Sequence, residues 1–122
     1  MKEIEGIHHE RFYRQLIEEA TLVEERIEGE TEDGELQTFY GFEDAEDEAQ
    51  YEGATLLDYG EAYFHLDEKV YMCTIYFENI ECVGVNILDK EEIKDFVANL
   101  LESEHGDEDA LIEKQPWTKD FL

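Results

Sequence analysis

Apolar residues recur at helical spacing over the first part of the chain. They follow one another at steps of four, four, three and four residues, at Phe12, Leu16, Ala20, Val23 and Ile27. This spacing is typical of the buried stripe of an amphipathic helix, so we predict an N-terminal helix over residues 7–27 that stops near Gly29. The alternative is a helix to about Ala20 followed by a short strand over residues 21–27, where polar and apolar positions alternate only weakly.

Short apolar and aromatic runs, separated by Gly or by polar turns, fill the middle of the chain and predict a series of strands. The strand candidates are residues 36–42, 54–60, 61–67, 70–79 and 80–88. Between the first two, residues 43–53 predict a loop or a short exposed helix, and residues 29–35 predict a loop. Residues 70–77 are apolar at nearly every position, which indicates a central strand covered on both faces.

A second helix is predicted from Asp89, which is a good N-cap and is followed three residues later by Glu92, as in a capping box. The final segment, residues 103–122, is either a loosely ordered tail or a segment that docks through Trp117 and its neighbours. Together these elements predict an α+β fold: an N-terminal helix, an antiparallel meander sheet of four to five strands, and a C-terminal helix, with the helices on one side of the sheet.

Composition limits the chain to one domain, residues 1–122, and excludes several functions. With 122 residues, 42% apolar, there is enough apolar material for a core. Thirty-five acids against nine bases give a formal net charge of −26, far beyond the roughly 2–8 that suits a small domain. Direct binding of nucleic acid or of an anionic membrane needs a basic surface, so we expect neither.

No apolar run approaches the length of a membrane span, and no apolar signal segment is visible at the N-terminus. We therefore expect a cytoplasmic protein. Cys73 and Cys82 fit that compartment as buried free thiols, and a disulfide between them is not favoured because a tight hairpin would not place them opposite each other.

The acidic residues are concentrated in the middle third of the chain. Residues 27–68 contain fifteen acids and no Lys or Arg. The two densest runs predict a partner-binding surface formed by Glu28, Glu30, Glu32, Asp33, Glu35, Glu43, Asp44, Glu46, Asp47, Glu48 and Glu52. Tyr40 and Tyr51 bracket the second run, and we include both as interface anchors because Tyr is enriched at binding hot spots.

The sequence offers little for catalysis or for a cofactor, so we expect a non-enzymatic protein with neither metal nor cofactor. After His8-His9-Glu10, Tyr13 stands where a zincin motif would need its second His. The acidic loops lack the glycine position of an EF-hand. Ser103 is the single serine, and the two cysteines lie within apolar strand patterns typical of inert core thiols.

A cation-free row of carboxylates resembles the charge of a nucleic-acid backbone. We therefore expect an inhibitor that mimics DNA and blocks the basic nucleic-acid-binding groove of a partner such as a nuclease. Phage-encoded inhibitors of CRISPR effectors and of restriction enzymes are an analogous class. If this protein is encoded by a phage, we expect it to act in the cytoplasm of the host cell. The alternatives are an immunity protein that neutralises a basic toxin, and a housekeeping domain of a salt-adapted organism.

Overall fold

A computed structural model describes all 122 residues and contains six strands and five helices, which confirms the α+β class with more strands than expected. In chain order the elements are β1 (Lys2–Glu3), α1 (His9–Glu19), β2 (Thr21–Glu30), β3 (Leu36–Tyr40), α2 (Phe42–Glu52), β4 (Thr55–Leu66), β5 (Lys69–Tyr76), β6 (Glu81–Ile87), α3 (Lys90–Ser103), α4 (Glu108–Lys114) and a 3₁₀ helix (Pro116–Phe121).

The six strands form one antiparallel sheet in the order β1-β6-β5-β4-β2-β3. Strands β4 to β6 are the predicted meander, and the two-residue tip at Asp67 and Glu68 turns with positive φ at both positions. Strand β2 pairs with β4 on one side and with β3 on the other, so β3 is an edge strand of the sheet. Strand β1 pairs only two residues with β6, too few to leave a recognisable pattern in the sequence.

Helices cover both faces of the sheet, so the prediction that they lie on one side is wrong. Helices α1 and α2 pack on one face, which we call the α1–α2 face, while α3, α4 and the 3₁₀ helix pack on the other, the α3–α4 face. The central strand β5 supplies Cys73 and Ile75 to the first core and Val70 and Met72 to the second. Its predicted burial on both faces is therefore confirmed.

The first helix ends at Glu19, so the predicted helix over residues 7–27 is wrong in its second half and the alternative split is correct. Strand pairing outweighs the local helical spacing, because β2 pairs with β4 from Thr21 onward and also with β3 from Arg26 onward. A β-bulge between Leu22 and Glu24 sends Val23 to one core and Ile27 to the other. That irregularity hides the period-two alternation of an ordinary strand.

Glycines predicted to end elements lie inside strands instead. Gly60 is in the middle of β4 and joins the two strand candidates 54–60 and 61–67 into one strand. A Cβ at Gly60 would lie 2.8 Å from the Phe42 ring and 2.9 Å from the Arg26 carbonyl oxygen, so a side chain does not fit. Gly29, predicted as a helix stop, is within β2 for the same reason: a Cβ there would lie 2.9 Å from the Phe39 ring.

The C-terminal segment docks on the domain. The Trp117 ring stacks on His65 of β4 at a centroid distance of 4.5 Å and an interplanar angle of 6°, and Leu111 and Thr118 are buried. Helix α3 begins as predicted, with the Asp89 side chain accepting from the Glu92 backbone N–H and the Glu92 side chain accepting from the Asp89 N–H. These contacts close the α3–α4 face over one half of the sheet.

Candidate functional site

Both acidic runs lie at the β3 edge of the sheet. The first run occupies the end of β2 and the turn that leads into β3, and the second run is helix α2, which follows β3 directly. Helix α2 runs back alongside the strand, since β3 ends opposite Arg26, whereas Thr55, the first residue of β4 and three residues after the helix, pairs with Glu30 near the hairpin turn. The fold thus brings together two segments that are separate in sequence, and we call the result the anionic edge, residues 28–52.

The hairpin part of the anionic edge is a compact turn with its acids in solvent. The Thr31 N–H donates to the Glu35 carbonyl, and the Gly34 N–H donates back to the Thr31 carbonyl, which closes the turn. Glu28 and Glu30 project from β2 on the α3–α4 face, where no helix covers this end of the sheet. Every acid of the first run is exposed, at Glu28, Glu30, Glu32, Asp33 and Glu35.

Helix α2 has a narrow apolar face: three of its residues pack on the sheet and the others are exposed to water. Phe42, Ala45 and Ala49 are buried against the α1–α2 face. The small Ala side chains let the helix lie close to the strands, and the Phe42 backbone N–H donates to the Glu25 carboxylate at 3.1 Å. All six acids are exposed, at Glu43, Asp44, Glu46, Asp47, Glu48 and Glu52.

The two predicted anchor tyrosines are exposed at the same edge. Tyr51 is 90% exposed on α2 and Tyr40 is 53% exposed on β3, which is unusual for large aromatic side chains. A groove of about 450 Å³ runs between the strand and the helix. Its lining combines both tyrosines with helix carboxylates and strand residues: Gln37, Thr38, Phe39, Tyr40, Asp47, Glu48, Tyr51 and Glu52.

No cation of the chain neutralises the anionic edge. The structure contains six ion pairs, and none of them includes an acid of residues 28–52. Two bases lie toward the opposite edge: Lys2 is in β1, and Lys69 lines a groove beside it. The eleven carboxylates of the anionic edge therefore share one region without internal compensation, and a cationic partner is the natural way to reduce their repulsion.

Sequence reasoning missed the cluster around Arg26, the base nearest to the anionic edge in sequence. The Arg26 Nε donates to Glu61 at 3.0 Å, an Nη donates to the Tyr63 hydroxyl at 2.6 Å, and the guanidinium lies 4.8 Å from the Tyr63 ring centroid. Glu24 is 3.6 Å away, and burial raises the pKa of its carboxyl despite Arg26. Arg26 is thus already satisfied by these neighbours and leaves the anionic edge uncompensated.

An aromatic surface beside the anionic edge was also missed. Tyr59 and Tyr76 pair across β4 and β5 with ring centroids 5.5 Å apart, on a part of the α3–α4 face that the helices leave open. Leu57 of β4 and Val83 of β6 are also exposed. The strand pattern gave no signal for this surface, because which half of the sheet the C-terminal helices cover is set by tertiary packing.

The structure places the three possible nucleophiles, Cys73, Cys82 and Ser103, in the core or within a helix. Cys73 and Cys82 are buried and free, and Cys82 pairs in register with Ile75, not with Cys73. A hydrogen bond with Cys82, together with burial, raises the pKa of the Cys73 thiol far above its usual range. The Ser103 hydroxyl donates to the Asn99 carbonyl within α3. Both cysteines are thus core thiols, and the Ser103 hydroxyl is bound to the backbone of its own helix.

The His8-His9-Glu10 segment serves the structure around α1. The His8 Nδ1 accepts the Arg11 backbone N–H as the helix N-cap, and the Glu10 carboxylate accepts the Cys82 backbone N–H of β6. No three His, Cys, Asp or Glu side chains converge in a way that would hold a metal ion.

Comparison with protein-family models, with curated proteins and with solved structures found no match to this chain. None of its helices is long and apolar enough to cross a membrane. The anionic edge must therefore be interpreted from its own geometry and charge.

Proposed function

We propose that this chain is a non-enzymatic inhibitor that mimics DNA and occupies the basic nucleic-acid-binding groove of a partner protein in the cytoplasm. The observation that supports the proposal is the grouping of eleven exposed carboxylates, free of Lys and Arg, at one edge of the sheet. The partner's own Lys and Arg side chains would take the place of the missing cations. CRISPR effectors and restriction enzymes are partners of the required chemistry.

The charge density of α2 is comparable to that of a nucleic-acid strand. Its 11 residues span about 16 Å at about 1.5 Å per residue, and they carry six acids. The mean axial spacing is therefore about 3 Å per charge, close to the roughly 3.4 Å between phosphates along one DNA strand. A groove that binds one strand by its phosphates would meet a similar linear density of negative charge on this helix.

The exposed tyrosines add contact area that a bare row of carboxylates lacks. Tyr51 on α2 and Tyr40 on the α3–α4 face of β3 present amphipathic rings beside the acids, and such rings contribute strongly to protein interfaces at a low entropic cost. Carboxylates would then set the rate and salt dependence of association, while the rings slow dissociation.

Competition with DNA tests the proposal. The chain is immobilised, and proteins retained from cell extracts at low and moderate salt are identified and purified. We expect a retained protein that binds nucleic acid and is displaced by free duplex DNA, with an affinity that falls as salt rises. A retained partner that duplex DNA does not displace, such as a toxin blocked at a site away from its nucleic-acid groove, would contradict the mechanism.

Folding in dilute buffer separates the proposal from salt adaptation. An inhibitor that acts at ordinary ionic strength should keep its far-UV circular dichroism and cooperative unfolding at low salt, because two buried cores hold the sheet from both faces. A salt-adapted domain should lose structure there, since its acidic surface depends on screening. Unfolding in low-salt buffer that added salt reverses would favour the salt-adapted alternative.

A further inference from the structure

The outer side of β3 has unpaired backbone groups. The Gly41 N–H donates to the Glu25 carbonyl and the Thr31 N–H donates to the Glu35 carbonyl, which fixes the alternation of the β2–β3 ladder. By that alternation, Gln37 and Phe39 bond to β2, whereas the N–H and C=O groups of Leu36, Thr38 and Tyr40 point away from the sheet. No side chain of the protein hydrogen-bonds to these outward groups.

Strand β3 itself contains none of the residues that usually prevent strand addition, and only the acids beside it protect the edge. The opposite edge is protected in a familiar way, because β1 pairs only two residues and one of them is Lys2. Strand β3 has five residues, contains no Pro or Lys, and pairs with β2 in unbroken register. An open strand of this kind is a template for pairing with another chain.

Charge decides which chain can add to this edge. The groove that flanks β3 on the α1–α2 face carries Asp47, Glu48 and Glu52, while Leu36 and Tyr40 project on the α3–α4 face and are 61% and 53% exposed. A second copy would bring an equally acidic edge against this one and be repelled. A basic strand is attracted, because its cations would meet carboxylates that have no partner within the chain.

We propose that β3 pairs with an extended, basic segment of the partner, which adds to the sheet as a seventh strand. Side chains of a strand alternate between the two faces. One set, Lys or Arg, contacts the α2 carboxylates in the groove, and the other set, apolar or β-branched, packs on Leu36 and Tyr40. The inference rests on the proposed function only in requiring a basic partner, and it specifies how part of that partner binds.

The inference is tested with a synthetic peptide in which Lys alternates with Val over about nine residues, within the usual length of a strand. The matched control is the same peptide with two adjacent central backbone nitrogens methylated, which blocks both strand edges and leaves the charge unchanged. We expect the unmodified peptide to protect the amide protons of Leu36, Thr38 and Tyr40 from exchange, and the methylated peptide to bind at least about tenfold more weakly.

A backbone variant of the protein gives a second test. Thr38→Pro removes one outward N–H and is compatible with an edge strand, whereas Thr38→Val keeps that N–H and the strand propensity. We expect Thr38→Pro to weaken the unmodified peptide at least about tenfold and Thr38→Val to leave it unchanged. Should Thr38→Pro fail to fold, the methylated peptide still decides the question on the unaltered protein.

Two outcomes overturn strand addition. Equal binding of both peptides with the same salt dependence would show attraction by the carboxylates alone, which overturns strand pairing and leaves the proposed inhibitor function standing. If neither peptide binds, the inference is also overturned. Displacement of a captured partner by duplex DNA still tests the proposed function separately.

Discussion

At the scale of single residues, Gly60 determines how closely α2 lies on the sheet. Phe42, the first residue of that helix, packs where a side chain at position 60 would stand, and the Arg26 carbonyl closes the space from the other side. The helix that carries half of the anionic edge is thus positioned by the absence of one Cβ atom in β4.

We expect Gly60→Ala to lower the free energy of unfolding by about 1–3 kcal/mol, the usual cost of overpacking a well-filled site. Gly84→Ala is the matched control, because a Cβ there would meet only Thr74, at an ordinary 3.7 Å. Urea unfolding of both variants measures the difference. If Gly60→Ala unfolds at the same midpoint as the Gly84→Ala control, Phe42 is free to move and α2 is not fixed in the way described.

Glu24 is a second residue whose environment makes a prediction, this time about pH. Burial raises the pKa of its carboxyl above the ordinary value near 4.3, so its ionised form is disfavoured in the folded chain and costs stability at neutral pH. We expect Glu24→Gln to raise the free energy of unfolding at pH 7 and to lose that advantage as the pH falls toward about 4.3, where the wild-type carboxyl becomes protonated in the folded and the unfolded chain alike. A Glu24→Gln variant that is less stable at pH 7 would show that the ion pair with Arg26 outweighs burial.

At the scale of elements, most of the sheet and the C-terminal helix were predictable and the start of the sheet was not. The continuous apolar run of β5 and the capping box at Asp89 are strong local signals, and both predictions are confirmed. The boundary at Glu19 depends on pairing with distant strands and on the bulge at Val23, neither of which is recorded in local spacing. The predicted break between two strands at Gly60 was wrong, because this glycine makes room for Phe42 of α2 and does not end a strand.

The docked C-terminal segment offers a measurement at this scale, because Trp117 is the only tryptophan and stacks on His65. Burial lowers the pKa of His65 below its ordinary value near 6.5, against the opposing effect of Asp67 and Glu68. The folded chain therefore binds this proton less readily than the unfolded chain, so protonation of His65 lowers the stability of the fold as the pH falls below about 6.5.

We expect the Trp117 fluorescence to change with a midpoint below pH 6.5 and the change to vanish in His65→Phe, which keeps a flat ring under the indole. A midpoint at or above 6.5 in the wild type, or an unchanged profile in His65→Phe, would show that another group controls the fluorescence.

At the scale of the whole molecule, the sequence predicted which residues are acidic and exposed but not how they are grouped. All thirteen predicted site residues are exposed, including Tyr40, which lies within a predicted aromatic strand. That residues 28–35 and 43–52 meet at one edge follows from the β2–β3 hairpin and from the return of α2 along β3, which required the strand order. The interval without Lys or Arg was the sequence signal that pointed to this region. No sequence signal indicated that β3, within the same region, is an open edge strand.

The central claim is that the anionic edge, and not the acidity of the whole molecule, binds a basic partner. Its most direct test compares the affinity of a captured partner for two variants of equal charge. One neutralises Glu46, Asp47, Glu48, Glu32 and Asp33 to the matching amides, and the other neutralises five exposed acids of α1 and α3, namely Glu18, Glu19, Glu91, Asp95 and Glu102. We predict at least about a hundredfold weaker binding for the first and little change for the second; equal weakening of both would contradict the account.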